Sequence, residues 1–151
     1  MITIQANAKI NLTLDILGMR QDGYHEVAMV MQSVGLFDTV SLEKTSSGIE
    51  LTLDEPGLEA DGRNLAWKAA QLMLDTYCLK GGVRISLEKR IPIAAGLAGG
   101  SADAAAVLRG MDELFELHLS EQELLHLGQS IGSDVPFCIL GGTMLATGRG
   151  E

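Results

Sequence analysis

Residues Ile91–Ala105 read IPIAAGLAGGSADAA, a stretch in which an extended segment and a proline lead through three glycines and a serine into an alanine-rich run. The alanine-rich run predicts a helix from near Ser101 to about Phe115. Glycine lets the backbone curl so that several N–H groups converge, and the free N–H groups and positive dipole end of the helix add to the same point. We therefore expect an anion site here, in preference to a turn that only connects two elements.

Two common phosphate-binding loops do not match this stretch. A Walker P-loop needs a lysine beside its last glycine, and no lysine follows Lys89 anywhere in the chain. A dinucleotide-binding loop needs the pattern Gly-x-Gly-x-x-Gly, which is also missing from the sequence. The loop therefore belongs to neither of these classes.

The elements around the loop predict an α+β fold. From Ile2 to Ile16 every even position is apolar, which is typical of a half-buried strand, and a strand this long needs a bend or a bulge. The turn signal Asp22-Gly23 predicts a hairpin with a longer loop. We expect further strands over residues 27–34, 40–42, 49–53 and 83–87. We expect one further helix from an N-cap at Asn64 to about Cys78, and another from a capping box at Ser120 to Gly132. Strands and helices that alternate so irregularly favour α+β over a regular parallel sheet.

Composition excludes several classes of protein. A chain of 151 residues with 46% hydrophobic and 21% charged residues can bury its own core and is not disordered. Its 11 basic and 20 acidic residues give a net charge of −9, which argues against a nucleic-acid partner because such binding needs a basic face. We find no targeting or membrane segment, and Cys78 and Cys138 lie far apart without metal-ligand spacing, so we expect a reduced, cytoplasmic protein with no membrane partner.

Three further stretches share one resemblance with the glycine loop. They read AKINL at residues 8–12, DGYH at residues 22–25 and GSDVPF at residues 132–137. Together with Pro92–Ala105 they resemble the motifs of the GHMP kinases, and the combination is most similar to those members that act on a cytidine-diphosphate-linked methylerythritol. The resemblance implies a fold like the second domain of ribosomal protein S5, ATP as phosphoryl donor with Mg²⁺, and transfer to the 2-hydroxyl of that small-molecule substrate in non-mevalonate isoprenoid biosynthesis.

The resemblance also implies a role for individual residues. Asp134 would be the catalytic base and Lys9 would be paired with it. Asn11, on the same side of the strand as Lys9 and about 6.6 Å away, would bind substrate or orient the lysine. Tyr24 and His25 would bind the cytidine, one by stacking and the other by hydrogen bonding. The ATP-binding residues would be Asn64, Pro92, Gly96, Leu97, Ala98, Gly99, Gly100, Ser101 and Ala102, with Ser101 also a candidate ligand of the metal.

Simpler interpretations remain open for several of these residues. Asp134 could make a local turn, Lys9 could be a solvated strand lysine, and Asn64 could act as a helix N-cap as well as lie near the adenine. Tyr24 and His25 could be ordinary surface residues of the hairpin loop. For Asp103 we favour an interaction with the helix dipole over one with Mg²⁺. The basic pair Lys89 and Arg90 precedes the loop and would offset the acidity of the chain near the phosphates, although such a pair after a strand is usually solvated, and we expect solvation here.

The resemblance also implies how much of the family's chain is present. Residues 1–151 would be the N-terminal, ATP-binding domain, with the family's C-terminal domain absent, and we expect this domain alone to be weakly active or inactive. A terminal strand at residues 141–147 without a following partner would leave apolar surface exposed and favour self-association. Alternative functions are another GHMP kinase, of the homoserine or mevalonate type, or a noncatalytic ligand-binding or interaction domain of the same fold.

Overall fold

The computed structural model describes residues 1–150 and has five strands and four helices in mixed order. The elements are β1 (Ile2–Met19), β2 (His25–Thr45), β3 (Gly48–Leu53), α1 (Leu65–Thr76), β4 (Gly82–Glu88), α2 (Gly99–Leu114), α3 (Glu121–Ile131), α4 (Val135–Leu140) and β5 (Thr143–Gly148). This mixture confirms the predicted α+β fold. None of the helices in residues 1–150 is both long and apolar enough to cross a membrane.

All five strands belong to one sheet. The strand order is β1-β2-β4-β3, and β5 pairs with the part of β2 that β4 does not reach. Only β3 and β4 run parallel, while the other pairs are antiparallel. β1 is therefore an edge strand along its whole length.

β1 and β2 form a long hairpin whose register shifts three times. The first shift lies between Asn7 and Lys9, where Asn7 pairs with Phe37 and Lys9 pairs with Ser33. Residues 34–36 of β2 therefore face a single residue of β1, so β2 carries a bulge there. This bulge joins the ranges 27–34 and 40–42, predicted as two strands, into one bent strand, and the predicted irregularity in β1 is confirmed.

The core lies between the sheet and the helices α1 and α2. The sheet and both helices contribute side chains that are fully buried. They are Val40, Leu42 and Ile85 of the sheet, Ala69 and Met73 of α1, and Val107, Leu108 and Met111 of α2. α2 approaches the sheet closely at Gly110, where a Cβ would clash with the Leu42 side chain. α2 thus packs closely against the sheet near its C-terminal end.

The far half of β1 is not half-buried as predicted. Ala6 and Ala8 are buried, but Leu12 and Leu14 are each 54% exposed and Ile16 is 65% exposed. The alternating pattern requires a cover on one face, and no element of the described chain supplies it at this end of the hairpin. The prediction was therefore right for the strand and wrong for its burial.

Candidate functional site

The glycine-rich loop between β4 and α2 has the curled backbone that its sequence predicts. Three of its residues, Ala94, Gly96 and Ala98, have φ values of 55°, 76° and 58°. Left-handed backbone costs free energy at a residue with a side chain, so two alanines in this conformation are strained. Backbone strain of this kind is concentrated at functional sites.

The first turn of α2 is open to a ligand. Ala98 is the N-cap of α2, and it has no side chain that could accept a hydrogen bond from the first N–H groups. The backbone N–H of Ala102 donates to the Ala98 carbonyl oxygen at 2.9 Å, which leaves the N–H groups of Gly99, Gly100 and Ser101 as the uncapped end. The helix begins at Gly99, two residues before the predicted start, so these residues form its first turn and not the loop before it.

A cavity of about 190 Å³ opens beside this turn. Asn64, Pro92, Gly99 and Gly100, all predicted to bind ATP, line it together. The remaining residues that line it are Leu58, Arg63, Leu65, Lys89, Ile91, Ile93, Ala94 and Asp103. A typical ligand pocket has about 300 Å³ or more, so this cavity fits part of a nucleotide beside the open turn.

Asn64 does serve as the predicted N-cap. Its Oδ1 accepts a hydrogen bond from the backbone N–H of Ala66 at 2.9 Å, and its Nδ2 donates to the Glu59 carbonyl oxygen at 3.0 Å. Asn64 also lines the cavity. It can therefore cap α1 and contact a ligand in the cavity at the same time.

Lys9 is joined to the glycine loop through its backbone. Its N–H donates to the Leu97 carbonyl oxygen at 3.0 Å, and its side-chain Nζ donates to Asn11 Oδ1 at 3.2 Å. Lys9 is 6% exposed, so the interpretation as a solvated strand lysine is wrong. The structure thus brings Lys9 and Asn11 together beside the loop, on one side of β1.

Asp134 begins α4, a helix that the sequence analysis did not predict. The residue is the N-cap of α4 and makes no side-chain cap hydrogen bond. Burial raises the pKa of the Cys138 thiol to about 12, while the Asp134 charge raises and the Lys9 charge lowers this pKa. The charges of Lys9 and Asp134 therefore both act on one thiol in α4. Within residues 1–150, Lys9 and Asp134 do not form an ion pair with each other at a distance of 4.0 Å or less.

Tyr24 and His25 lie at the far end of the β1–β2 hairpin, and both are exposed. The guanidinium of Arg149, which sequence reasoning did not single out, lies 4.7 Å from the centroid of the Tyr24 ring. Arg149 also lines a cavity of about 290 Å³ with Gly132 and Ser133, directly before Asp134. Arg149 therefore connects the Tyr24 loop with the segment that carries Asp134.

The prediction for Lys89 was wrong, because this residue is not solvated. Its side chain is 3% exposed, and its Nζ donates to Asp38 Oδ2 at 2.5 Å and to Asp103 Oδ2 at 2.6 Å. The prediction for Asp103 is corrected as well, since its carboxylate pairs with Lys89 instead of the helix dipole. A strand that ends in Glu-Lys-Arg gives no sign of burial, and the acidic partner Asp38 lies 51 residues away. Arg90 beside it remains exposed, as expected.

Asp103 is the least satisfied member of this group. Its Oδ1 is buried and has no hydrogen-bond partner in the described chain. Burial raises the pKa of Asp103 to about 7, against the lowering effect of the Lys89 ammonium. Two carboxylates share one ammonium here, so the group has an excess of acidic side chains.

The described residues contain no cluster of three or more His, Cys, Asp or Glu side chains that could hold a metal ion by itself. Ser101, in the first turn of α2, is partly exposed and offers a hydroxyl oxygen beside the uncapped N–H groups. Mg²⁺ commonly takes only one or two protein ligands and completes its shell with phosphate oxygens and water. Ser101 therefore fits a Mg²⁺ ion that arrives with a nucleotide.

Known proteins resemble the chain over its whole length. A protein of Acetivibrio thermocellus named 4-diphosphocytidyl-2-C-methyl-D-erythritol kinase is 57% identical over 99% of this chain and 53% of its own length. A protein of Macrococcus caseolyticus with the same name is 58% identical over 100% of this chain and 54% of its own length. The chain thus spans about half the length of the curated relatives it matches.

A solved structure shows the same fold. The crystal structure of 4-(cytidine 5'-diphospho)-2C-methyl-D-erythritol kinase superposes with a TM-score of 0.86 and 42% sequence identity, covering 99% of this chain and 53% of the other. The family model described as GHMP kinases N terminal domain matches residues 64–142, which include the N-cap of α1, the glycine loop and Asp134. Since this match covers more than half of the chain, the chain belongs to the GHMP kinase family.

Proposed function

We propose that this chain is the ATP-binding domain of a kinase that phosphorylates the 2-hydroxyl of 4-diphosphocytidyl-2-C-methyl-D-erythritol. The observation that carries the proposal is the uncapped first turn of α2, which lies beside a cavity and follows a strained glycine loop. An uncapped helix start presents N–H donors and a positive dipole to an anion. The names of the relatives support the choice of substrate.

In this proposal the chain binds ATP mainly through its backbone. The N–H groups of Gly99, Gly100 and Ser101 donate to the phosphates, and the adenosine lies in the cavity beside Asn64. Backbone donors suit a chain with a net charge of −9, since they need no excess of basic side chains.

Asp134 accepts the proton of the acceptor hydroxyl in this mechanism. The residue makes no side-chain cap bond, so its carboxylate is available as a general base. Lys9, fixed by its backbone bond to Leu97 and its side-chain bond to Asn11, stabilises negative charge on the phosphoryl group during transfer. Phosphoryl transfer depends mainly on such positioning and charge stabilisation.

Ser101 would hold Mg²⁺ through its hydroxyl, together with phosphate oxygens of the nucleotide. When bound, the ion neutralises charge on the phosphates. The position of Ser101 at the start of α2 supports this role, because the same turn provides the N–H donors.

The cytidine end of the substrate lies against Tyr24 and His25 in this proposal. An exposed aromatic residue followed in sequence by an exposed histidine suits stacking and edge recognition of a pyrimidine. Arg149, which lies against Tyr24 and lines the cavity beside Ser133, adds a guanidinium suited to the diphosphate. Its place between the two segments supports a substrate that extends from the hairpin towards Asp134.

We further propose that the chain alone turns over slowly, because it spans about half the length of its relatives and the remainder would complete the acceptor pocket. Cytoplasmic placement and a step in non-mevalonate isoprenoid biosynthesis are part of the same proposal. The free thiols of Cys78 and Cys138 support a reducing compartment.

Two measurements test the proposed function. Isothermal titration of the chain with ATP and Mg²⁺ should give saturable binding. For turnover, the chain is joined to the part of the A. thermocellus relative that it does not cover, and the cytidine substrate is compared with homoserine and mevalonate as acceptors. We expect turnover with the cytidine substrate, and preference for another acceptor would contradict the substrate assignment.

Substitution of Asp134 tests the mechanism in the joined protein. Asp134→Asn should lower kcat by about a hundredfold or more, while the affinity for ATP stays unchanged, because a general base contributes on this order. Asp75→Asn, an exposed carboxylate at the end of α1, is the matched control and should leave kcat unchanged. A small loss of kcat for Asp134→Asn would remove the proposed base.

A further inference from the structure

The buried cluster of Asp38, Lys89 and Asp103 has no part in the mechanism above, although it lies against the nucleotide cavity. The three side chains are 0%, 3% and 3% exposed, and both Lys89 and Asp103 line the cavity. Burying charges costs free energy that well-packed apolar side chains would not cost. A cluster with two carboxylates, one ammonium and an unpartnered oxygen is therefore a poor means of stabilising the core, and its geometry suggests another purpose.

Asp38 holds the beginning of the glycine loop by its backbone. Its Oδ1 accepts hydrogen bonds from the N–H of Arg90 at 2.5 Å and from the N–H of Ile91 at 2.9 Å. The Ile91 side chain in turn limits the space at Gly99, where a Cβ would lie 3.1 Å from Ile91 Cγ2. The Ile91 side chain therefore lies directly beside the first residue of α2, which belongs to the proposed phosphate site.

A second connection runs from Asp38 through side chains. Asp38 Oδ2 accepts from Lys89 Nζ, and the same Nζ donates to Asp103, which lies one turn into α2. Lys89 Nζ is also only 3.5 Å from the position of a Cβ at Gly99. The two oxygens of one carboxylate thus fix both the loop that enters α2 and the first turns of α2 itself.

We propose that Asp38 is a positioning residue of the nucleotide site, which holds the glycine loop and the start of α2 in the arrangement that binds the phosphates. This inference rests on the proposed function, since it concerns the same site. Asp38 lies at the bend of β2, about fifty residues from the loop in sequence, and is not among the residues that line the nucleotide cavity. It acts on the phosphates only through Arg90, Ile91 and Lys89.

The test compares the binding of ATP and adenosine to the 151-residue chain. Asp38→Ala removes both connections and should weaken ATP binding about tenfold, while adenosine binding stays within about twofold. Asp38→Asn keeps an oxygen for the backbone N–H groups and loses only the link to Lys89, so we expect a smaller loss of ATP affinity. A purely structural role for Asp38 would weaken both ligands together, because adenosine occupies the cavity beside the loop.

Glu50→Gln is the matched control, since it removes one carboxylate from the exposed Glu43–Arg84–Glu50 group on the sheet and should change neither affinity. If either folded Asp38 variant keeps the wild-type ratio of ATP to adenosine affinity, the positioning role is overturned and the proposed function stands. If the unsubstituted chain binds ATP no better than adenosine, the phosphate site is overturned, and the positioning role with it. Circular dichroism establishes which variants are folded. If Asp38→Ala does not fold, the comparison of ATP and adenosine affinity is made with Asp38→Asn alone.

Discussion

At the scale of single residues, Asp103 is a buried carboxyl group whose pKa is raised far above its ordinary value. Its folded pKa of about 7, raised by burial, compares with an ordinary value of 3.8. Between these values the folded chain holds a proton that the unfolded chain has released, so the contribution of Asp103 to the free energy of unfolding falls as pH rises from about 4 to about 7. Above about pH 7 this contribution no longer changes.

Urea unfolding at about pH 5 and about pH 8 measures this dependence. The free energy of unfolding of the unsubstituted chain should fall more between these pH values than that of Asp103→Asn, which cannot titrate. Asp75→Asn, with its exposed carboxylate, should follow the unsubstituted chain. If the free energy of unfolding fell equally in the unsubstituted chain and in Asp103→Asn, the raised pKa of Asp103 would be contradicted.

The residues that could be predicted from sequence are those whose role is local. The N-cap Asn64 and the capping box of Ser120 with Glu123 depend on neighbours within a few positions, and both are present. The buried pairing of Lys89 depends on Asp38, which only the sheet brings close. No pattern near Lys89 distinguishes a buried lysine from a solvated one, and this is why the prediction for it failed.

At the scale of elements, Asn64 joins a structural role to a proposed binding role, and one substitution separates them. Serine caps a helix about as well as asparagine but cannot replace the exposed bond from Asn64 Nδ2 to the Glu59 carbonyl oxygen, so Asn64→Ser should lower the free energy of unfolding less than Asn64→Ala while it lowers affinity for ATP. Asn64→Ala should lose both affinity and about 1 kcal/mol of stability. Urea unfolding and calorimetry on the two variants give the answer, and unchanged ATP affinity in both would exclude contact between Asn64 and the nucleotide.

Element boundaries were predicted well where the pattern was regular. α1 and α3 lie within the predicted ranges, since their caps and apolar spacing are clear. β2 was divided into two because the bulge at residues 34–36 interrupts its alternation. α4 was missed because Val135–Leu140 is a short, uncharged run in which a six-residue helix cannot be told from a strand.

At the scale of the whole molecule, the exposed apolar side chains of β1 predict self-association. Five large apolar side chains of this edge strand are 54–75% exposed, namely Leu12, Leu14, Ile16, Leu17 and Met19. Such a strand presents unpaired backbone groups and apolar surface to a second copy of the chain. We therefore expect the weight-average mass in sedimentation experiments to rise with concentration.

A charge in the middle of this surface should reduce the association. Ile16→Lys is expected to shift the chain towards the monomer, while Gln5→Lys, an exposed and polar position on the same strand, should leave the association as it is. A monomeric unsubstituted chain at all concentrations, or association that Ile16→Lys does not change, would contradict this prediction.

The central claim is that main-chain N–H groups at the start of α2 hold the triphosphate. The most direct measurement is an amide ¹H–¹⁵N titration of the chain with ATP, compared with adenosine. We expect ATP, and not adenosine, to shift the amide signals of Gly99, Gly100 and Ser101 most strongly. Strong shifts confined to another region, such as the cavity lined by Met31 and Phe137, with these three amides unchanged, would contradict the account.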